Sequence, residues 1–390
     1  MNIAYICTYD PALLIKDQFC ALNRFKTNAL KRLHFTVTND LNYDQRMIRI
    51  CTSLAHAGYS VTLIGRKVRN SPKLQKKLYM QKRLLTFFSR GFGFYAEYNI
   101  RLFLYLLFQR TDLICCIDLD TILPVWLAAK LKNKKMVYDA HEYFSQQKEV
   151  ITRPGIYRVW KWIEKTFVPR FKNGYTVSHS IAAEFNSHYG VHYEIIRNLP
   201  TLKSLSQTFH KENTLLYQGA VNEARGLEFL IPAMKSIDAK LEIYGDGNFT
   251  DQVNKLVKEN NLQDKVFIKG KVPPDELDMI TQRAYIGLNL VENNGLNQYY
   301  SLANKFFDYI QNGIPQVSMN FPEYKKINDE FEVALLIDDL QPETIANAID
   351  KLLNAKIYYD TLQQNCVRAR EVLNWQHEEK KLIAFYKNIA

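Results

Sequence analysis

The chain has 390 residues, of which 47% are hydrophobic and 23% charged, a composition typical of globular proteins with room for two domains. It contains no run of about eighteen uncharged apolar residues, which excludes a helix that crosses a membrane. The formal net charge of +11 predicts an anionic partner, which could be nucleic acid, anionic lipid or a phosphate-bearing substrate. Six cysteines without a Cys-x-x-Cys spacing fit a reducing, cytoplasmic setting.

Short apolar runs alternate with amphipathic helices in the first half, as in a parallel sheet covered by helices on both faces. Residues 1–31 precede this pattern as an N-terminal extension to which we assign no role. We predict strands over residues 35–38, 61–65, 113–117, 136–138 and, as the last strand, 175–178, with helices over 45–56 and 122–131. A basic stretch, residues 66–83, is followed by an aromatic-rich amphipathic segment, residues 87–108.

A polar connection over residues 198–213 separates this half from a second series of strands and helices. We predict strands over residues 215–219, 241–245, 266–268, 286–290 and 316–318, and a terminal helix over 361–389. The predicted fold class is therefore α/β with two Rossmann-like domains.

The most informative stretch is residues 300–315. Ser301 is a good N-cap, Gly313 suits the position after a helix, and Pro315 prevents continuation, so we predict a helix of about eleven residues. Lys305 and Asp308 share one face of it. A lysine beside free N–H groups suits a diphosphate, and a carboxylate one turn on suits two ribose hydroxyls. The alternative is a surface helix with an ordinary ion pair.

This stretch resembles the donor-site helix of family-four glycosyltransferases, which are retaining enzymes of the GT-B fold and often carry two glutamates separated by seven residues. Asp308 matches the second, ribose-binding acid, whereas Tyr300 stands where the first, sugar-contacting acid is expected. A backbone group or Asn297 would replace that acid. The resemblance implies a donor site made of Gly219, Gly245, Asn297, Tyr300, Leu302, Ala303, Asn304 and Asp308.

Two further segments match the family. Residues 219–226 resemble the turn in which two cations neutralise the leaving diphosphate. Arg225 is kept there, but Ala220 stands where the other arginine is usual, and Lys305 would compensate. Residues 137–142 resemble the segment whose histidine reaches the donor sugar across the cleft. The resemblance thus implies His141, Arg225 and Lys305 as catalytic residues, against the alternatives of a solvated arginine and a structural histidine.

Residues 38–47 resemble the loop and helix start that border the acceptor in related enzymes. Acceptor-side residues are then Asn39, Asp40, Tyr43, Asp44 and Arg46. The implied domains are residues 32–203 on the acceptor side, 204–370 on the donor side, and a C-terminal helix over 371–390 that returns to the first domain.

The implied reaction transfers a sugar from a nucleotide-diphosphate donor to a hydroxyl of a glycan or lipid-linked acceptor, with retention, in cell-surface polysaccharide or glycolipid synthesis. No cofactor and no metal are implied. Asp118 and Asp120 form the Asp-x-Asp pattern that holds a divalent cation in the other main glycosyltransferase fold. Their place at a strand end, before a helix, favours a helix cap and cleft lining instead.

Other functions stay open. Tyr300 and Ala220 are compatible with a catalytically inactive binding module of a polysaccharide-assembly complex, and a sugar-nucleotide epimerase would have a similar shape. A phosphorylase would require a pyridoxal-phosphate lysine that the sequence does not identify. No nucleic-acid-binding motif occurs. The basic stretch and the aromatic segment after it predict peripheral attachment to the anionic inner face of a membrane.

Overall fold

The computed structural model describes residues 30–42, 44–205 and 213–389. Most of the predicted N-terminal extension and part of the predicted connection lie outside these residues. The described strands are β1 (Arg32–Thr36), β2 (Ser60–Lys67), β3 (Met80–Leu85), β4 (Leu113–Ile117), β5 (Lys135–Ala140), β6 (Asn173–Thr176), β7 (Glu194–Ile195), β8 (Thr214–Gln218), β9 (Lys240–Tyr244), β10 (Val266–Gly270), β11 (Ile286–Asn289), β12 (Gln316–Met319) and β13 (Ala334–Ile337).

Helices connect these strands. They are α1 (Gln45–His56), α2 (Gly91–Phe108), α3 (Ile122–Leu131), α4 (Lys148–Ile151), α5 (Pro154–Phe167), α6 (His179–Tyr189), α7 (Leu227–Ala233), α8 (Thr250–Glu259), α9 (Pro274–Arg283), α10 (Leu296–Tyr299), α11 (Asn304–Gln311), α12 (Pro322–Phe331), α13 (Pro342–Asn354), α14 (Lys356–Arg370) and α15 (Trp375–Ile389). Short 3-10 turns cover Leu119–Thr121, Phe144–Gln146 and Val168–Arg170.

The described strands form two parallel sheets, one of seven strands in the order β3-β2-β1-β4-β5-β6-β7 and one of six in the order β10-β9-β8-β11-β12-β13. We call each sheet with its helices the first and the second unit. The strand order reverses beside β1 in the first unit and beside β8 in the second. Ligands of open α/β sheets bind at the carboxyl ends of strands beside such a reversal. The predicted α/β fold with two Rossmann-like units is confirmed.

Burial explains why the central strands could be read from the sequence. All five residues of β4 are buried, because helices cover both faces of the sheet. Helix α1 has the predicted bounds, and the Asp44 carboxylate caps it by accepting from the N–H of Met47 at 2.9 Å. Gly58 follows it with φ +88°, a left-handed conformation that glycine adopts without strain.

Several features differ from the prediction. Strands β3, β7 and β13 were not predicted, and β1 begins and ends earlier than the predicted 35–38. β3 is an edge strand that begins inside the basic stretch, where charged residues obscure the alternation of apolar and polar residues. The segment 175–178 is not the last strand of its sheet, because β7 pairs with β6 beyond it. The terminal helix is also not continuous: it ends at Arg370, and α15 begins at Trp375, where the Asn374 side chain accepts from the N–H of His377 at 3.1 Å.

The break lets the last helix pack on the other unit. Helix α14 lies against the second unit, whereas Trp375, Leu382 and Tyr386 of α15 are buried in the core beside β1 and α1. The Trp375 indole also donates to the Ser53 hydroxyl of α1 at 2.9 Å. The chain therefore passes between the units a second time, and α15 fixes one unit to the other.

Candidate active site

A cleft of about 570 Å³ lies between the two units, at the carboxyl ends of the strands. Residues of both units line it: Asp44, Gln45, Arg46, His141, Glu142, Val177, Ile181 and Asn198 from the first, and Tyr217, Gln218, Gly219, Ala220, Arg225, Leu277, Asn297, Gln298, Ser301, Leu302, Ala303, Asn304, Lys305 and Asp308 from the second. Most of the predicted site residues therefore meet in one cavity.

The amine of Lys305 is the most unusual group in the cleft. Its side chain is only 9% exposed, and Nζ has no hydrogen-bond partner among the described residues. The amine lies 3.5 Å from the centre of the Tyr217 ring. Burial, reinforced by the charge of Arg225, holds the pKa of Lys305 well below its usual value. An anion bound beside this buried amine would favour its protonated form and accept the hydrogen bonds that it lacks here.

The ordinary ion pair between Lys305 and Asp308 does not form. Asp308 instead accepts from the Gln218 amide at 3.2 Å, and the Thr281 hydroxyl orients that amide by donating to its oxygen at 2.7 Å. Burial raises the pKa of Asp308 to about 6. A carboxylate so placed still has acceptor sites for a polar ligand.

Helix α11 begins later than predicted, and Ser301 does not cap it. The Ser301 hydroxyl donates to the Gln298 carbonyl at 2.8 Å, and the N–H of Ala303 donates to the Tyr324 hydroxyl at 3.0 Å. The N–H groups of Asn304 and Lys305 donate no hydrogen bond within the described residues. These two groups are available to an anion at the helix N-terminus.

Two glycines shape the turns at the strand ends. Gly219 follows β8 with φ +122°, and a side chain there would point at the Lys305 stem. Gly245 follows β9 with φ +148°, and a Cβ atom on it would lie 1.7 Å from the Gly219 carbonyl oxygen. Gly245 therefore does not line the cleft itself but allows Gly219 to reach its position.

Arg225 lies in the turn between Ala224 and Gly226, both of which have a left-handed backbone. It lines the cleft and a polar side pocket of about 240 Å³. No ion pair to Arg225 occurs in the described part of the chain. Ala220, at the position of the missing arginine, accepts at its carbonyl from the Tyr217 hydroxyl at 2.7 Å.

His141 faces the cleft from the end of β5, where Nδ1 lies 2.8 Å from a carboxylate oxygen of Asp118. The other oxygen of Asp118 accepts from the N–H of Glu142 at 3.3 Å. Burial disfavours the charged imidazole, but Asp118 outweighs burial and raises the pKa of His141 to about 10. The predicted helix cap is wrong for Asp118, whose side chain bonds to no N–H of the following turn and orients His141 instead.

Asp120 lies beyond the cleft lining. It accepts from the Thr38 hydroxyl at 2.6 Å, and burial together with Asp118 raises its pKa to about 7. Within residues 30–42, 44–205 and 213–389, no three His, Cys, Asp or Glu side chains are grouped to hold a metal ion.

The loop before α11 contacts the first unit. The side-chain oxygen of Asn297 accepts from the N–H of Tyr143 at 2.8 Å, and its amide nitrogen makes no such contact with the described part of the first unit. Tyr300 lies outside the cleft lining and packs against the core of the first unit. The structure therefore places an interdomain contact where the family has its sugar-binding acid.

Only some of the predicted acceptor-side residues line the cleft. Asp44 and Arg46 line the cleft, although Arg46 is buried in an ion pair with Asp139 at 2.7 Å. Asn39 donates to Asp44 of the same loop at 2.6 Å, and Asp40 pairs with Arg83 of β3 at 2.9 Å; both lie outside the cleft lining. Tyr43 is not among the described residues.

Sequence reasoning missed a polar chain between the units. Arg49 donates to the Asn198 side chain, which in turn donates to the Asn304 side chain at 2.8 Å. Partners that lie 149 and 106 residues apart leave no local signal in the sequence. Gln218 and Tyr217, which hold Asp308 and Lys305, were also not singled out.

Two family models match consecutive parts of the chain. The model described as Glycosyltransferase Family 4 matches residues 45–201, and the model described as Glycosyl transferases group 1 matches residues 201–369. No curated protein sequence matches the chain.

Solved structures share the fold. Sucrose-phosphate synthase from Thermosynechococcus elongatus superposes with a TM-score of 0.78 at 17% identity, covering 92% of this chain and 98% of its own. Anabaena HepE in complex with UDP and glucose gives 0.71 at 11%, with 92% and 100% covered. WaaG, a glycosyltransferase involved in lipopolysaccharide biosynthesis, gives 0.70 at 14%, with 90% and 98% covered.

Proposed function

Because the chain belongs to the family-four glycosyltransferases of the GT-B fold, we propose that it transfers a sugar from a nucleotide-diphosphate donor to a hydroxyl acceptor with retention. The observation that carries this proposal is the buried, unpartnered amine of Lys305 beside the free N–H groups of α11. A diphosphate would supply the counterion and the acceptors that these groups lack.

The roles follow from position in the cleft. Asp308 binds the ribose, Lys305 and Arg225 stabilise the charge that grows on the departing diphosphate, and a protonated His141 orients the donor sugar. The leaving phosphate takes the acceptor proton on the same face of the sugar, so no carboxylate needs to attack the anomeric carbon. The protein supplies positioning and charge, and we propose that turnover persists in the presence of a chelator.

The donor can be identified by a binding screen. Since HepE is solved in complex with UDP-glucose, UDP-glucose is the first candidate, with ADP- and GDP-glucose as comparisons. A donor at about a hundred times its Kd should stabilise the fold by about 2.7 kcal/mol, which raises Tm. Asp308→Asn, which weakens the proposed ribose contact, should reduce the shift. Binding without hydrolysis or transfer would instead support an inactive binding module.

We propose that the acceptor is a glycan or a lipid-linked glycan of cell-surface polysaccharide synthesis, used at a membrane. Support comes from the outer face of the first unit. We define its aromatic patch as Phe87, Phe88, Phe92 and Phe108, all largely exposed. The exposed Lys82 of β3 lies nearby, with its amine 5.9 Å from the Tyr105 ring of α2. None of the described helices is both long and apolar enough to span a bilayer, so attachment would be peripheral.

The domain roles are part of the same proposal. Residues 32–203 would bind the acceptor, residues 204–370 the donor, and residues 371–390 would tie the two together. Support for this division is that Lys305, Arg225 and Asp308 belong to the second unit, whereas Asp44 and His141 face them from the first.

A further inference from the structure

Helix α12 belongs to the second unit but contacts the first. It begins at Pro322, directly after β12, and its first turn lies against the start of α6. Two adjacent residues of this turn, Glu323 and Tyr324, are buried and make polar contacts in different directions. Neighbouring residues of a helix project about 100° apart, so one rigid turn can hold two separate groups.

Glu323 makes a hydrogen-bonded contact with the first unit. Its side chain is 2% exposed, and one carboxylate oxygen accepts from both the N–H and the hydroxyl of Ser180, each at 2.7 Å. Ser180 lies in the first turn of α6, where a negative charge is favourable because the N–H groups there lack helical partners. Val177 and Ile181, on either side of this contact, line the cleft.

Tyr324 contacts the residues directly before α11 and the first turn of that helix. It is fully buried, and its hydroxyl accepts from the N–H of Ala303 at 3.0 Å and lies 3.4 Å from the hydroxyl of Ser301. Its ring packs on the Phe306 ring of α11, with 4.9 Å between centroids. We call residues 301–304 the donor loop. All four residues line the cleft, and the loop directly precedes Lys305.

We infer that Glu323 and Tyr324 are positioning residues: together they fix the donor loop of the second unit against the α6 wall of the first. Neither residue lines the cleft. Each acts through a backbone group of a segment that does. The inference rests on the proposed function, because only a donor bound at the donor loop would be affected when this turn of helix changes the position of the loop relative to α6.

Substitutions can separate positioning from simple stability. Tyr324→Phe keeps the ring and removes the acceptor of the Ala303 N–H, so KM for UDP-glucose should rise about threefold to tenfold with little change in Tm. Glu323→Ala frees α6 and should raise KM and lower kcat, each by about tenfold. Glu323→Gln keeps an oxygen acceptor and should recover most of the loss. Glu330→Gln, on the exposed face of the same helix, is the matched control and should match wild type.

A double-mutant cycle measures the connection. Ser180→Ala and Tyr324→Phe alter groups on opposite sides of α12. If the helix transmits position, their combined effect on KM should differ from the product of the single effects by at least about threefold. Multiplicative effects, or variants that change Tm alone, would overturn the inference.

A second readout needs no donor. Small-angle X-ray scattering of the ligand-free protein should show a larger radius of gyration for Glu323→Ala than for wild type and Glu330→Gln. Helix α15 still joins the units in this variant, but loss of the Ser180 contact lets the cleft between them open wider. An unchanged radius would contradict the inference. If wild type bound none of the nucleotide-sugars, the proposed function would fail while scattering still decided whether this contact holds the units together.

Discussion

At the scale of single residues, three side chains of the cleft have pKa values shifted from the ordinary values of their residue types. Burial lowers the pKa of Lys305 and raises that of Asp308, while Asp118 raises that of His141. Such shifts cluster where a protein binds or transforms a charged ligand. The Lys305 amine lacks a hydrogen-bond partner that a nucleotide-sugar could provide, and two substitutions test the proposed roles of Lys305 and Asp308.

Removing the amine of Lys305 should affect turnover more than binding. Lys305→Met retains the apolar stem on the Tyr217 ring but removes the charge that faces the leaving diphosphate. We expect kcat to fall about a hundredfold and KM for the donor to change by less than about threefold. Steady-state kinetics per folded molecule checks this. A normal kcat would place the diphosphate elsewhere.

Asp308 should make donor binding depend on pH. Its pKa of about 6 means that the carboxylate gains a proton as the pH falls through 6, which removes its charge and acceptor capacity for ribose. Both phosphates of a nucleotide-sugar are diesters and do not titrate in this range. KM for UDP-glucose should therefore rise about tenfold from pH 7.5 to 5. Asp308→Asn should show a raised KM that hardly varies over the same range; an unchanged pH profile would exclude the ribose role.

At the scale of elements, the site depends on how closely the turns after β8 and β9 approach. Gly219 can border Lys305 only because Gly245 has no side chain, since a Cβ atom would meet the Gly219 carbonyl. A Gly-x-Gly turn alone is a weak signal of function. Packed against a second turn, it would form the floor of the proposed diphosphate site.

Gly245→Ala should therefore damage both fold and site. The clash and the positive φ should lower the free energy of unfolding by about 2–4 kcal/mol and weaken nucleotide binding further in the molecules that fold. Urea denaturation and calorimetry measure the two effects. Gly155→Ala is a suitable control, because no atom lies within 4 Å of its Cβ position and its φ is ordinary; equal losses in both variants would contradict this packing argument.

At the scale of the whole molecule, the outer face of the first unit differs from the rest of the surface. Helix α2 buries Phe94, Tyr98, Leu102 and Leu106 on one face, yet exposes apolar side chains on the opposite face, Ile100 and Leu104, and at its two ends, Phe92 and Phe108. Apolar side chains on both faces of a helix, with basic residues nearby, support the proposal that this face contacts an anionic membrane.

Vesicle sedimentation tests that proposal. Each basic residue near an anionic surface contributes about 1 kcal/mol, so binding should require anionic lipid and weaken with salt. Phe92→Ser combined with Phe108→Ser should reduce binding about tenfold or more. Ile357→Ser, at a residue of the second unit that is 86% exposed, is the control and should have no effect. Equal sedimentation with neutral vesicles would remove the proposal.

The sequence by itself determined the two-unit α/β fold, the bounds of α1 and several of the residues that line the cleft, among them Lys305, Asp308 and His141. Central strands and capped helices carry local signals, because burial on both sides demands apolar runs and helix ends demand specific residues. The edge strand β3, with its charged side chains, carries no such signal.

Only the tertiary structure decided how those residues are connected. Asp118 proved to be the partner of His141 rather than a helix cap, Asn297 proved to bind the Tyr143 backbone, and Lys305 proved to lack the ion pair that its spacing with Asp308 allowed. Each contact is decided by the distance between atoms that are far apart in the chain or by burial that several elements create together. Local sequence contains the groups but not their partners, since hydrogen bonds and pKa values depend on what the folded chain brings within a few ångströms.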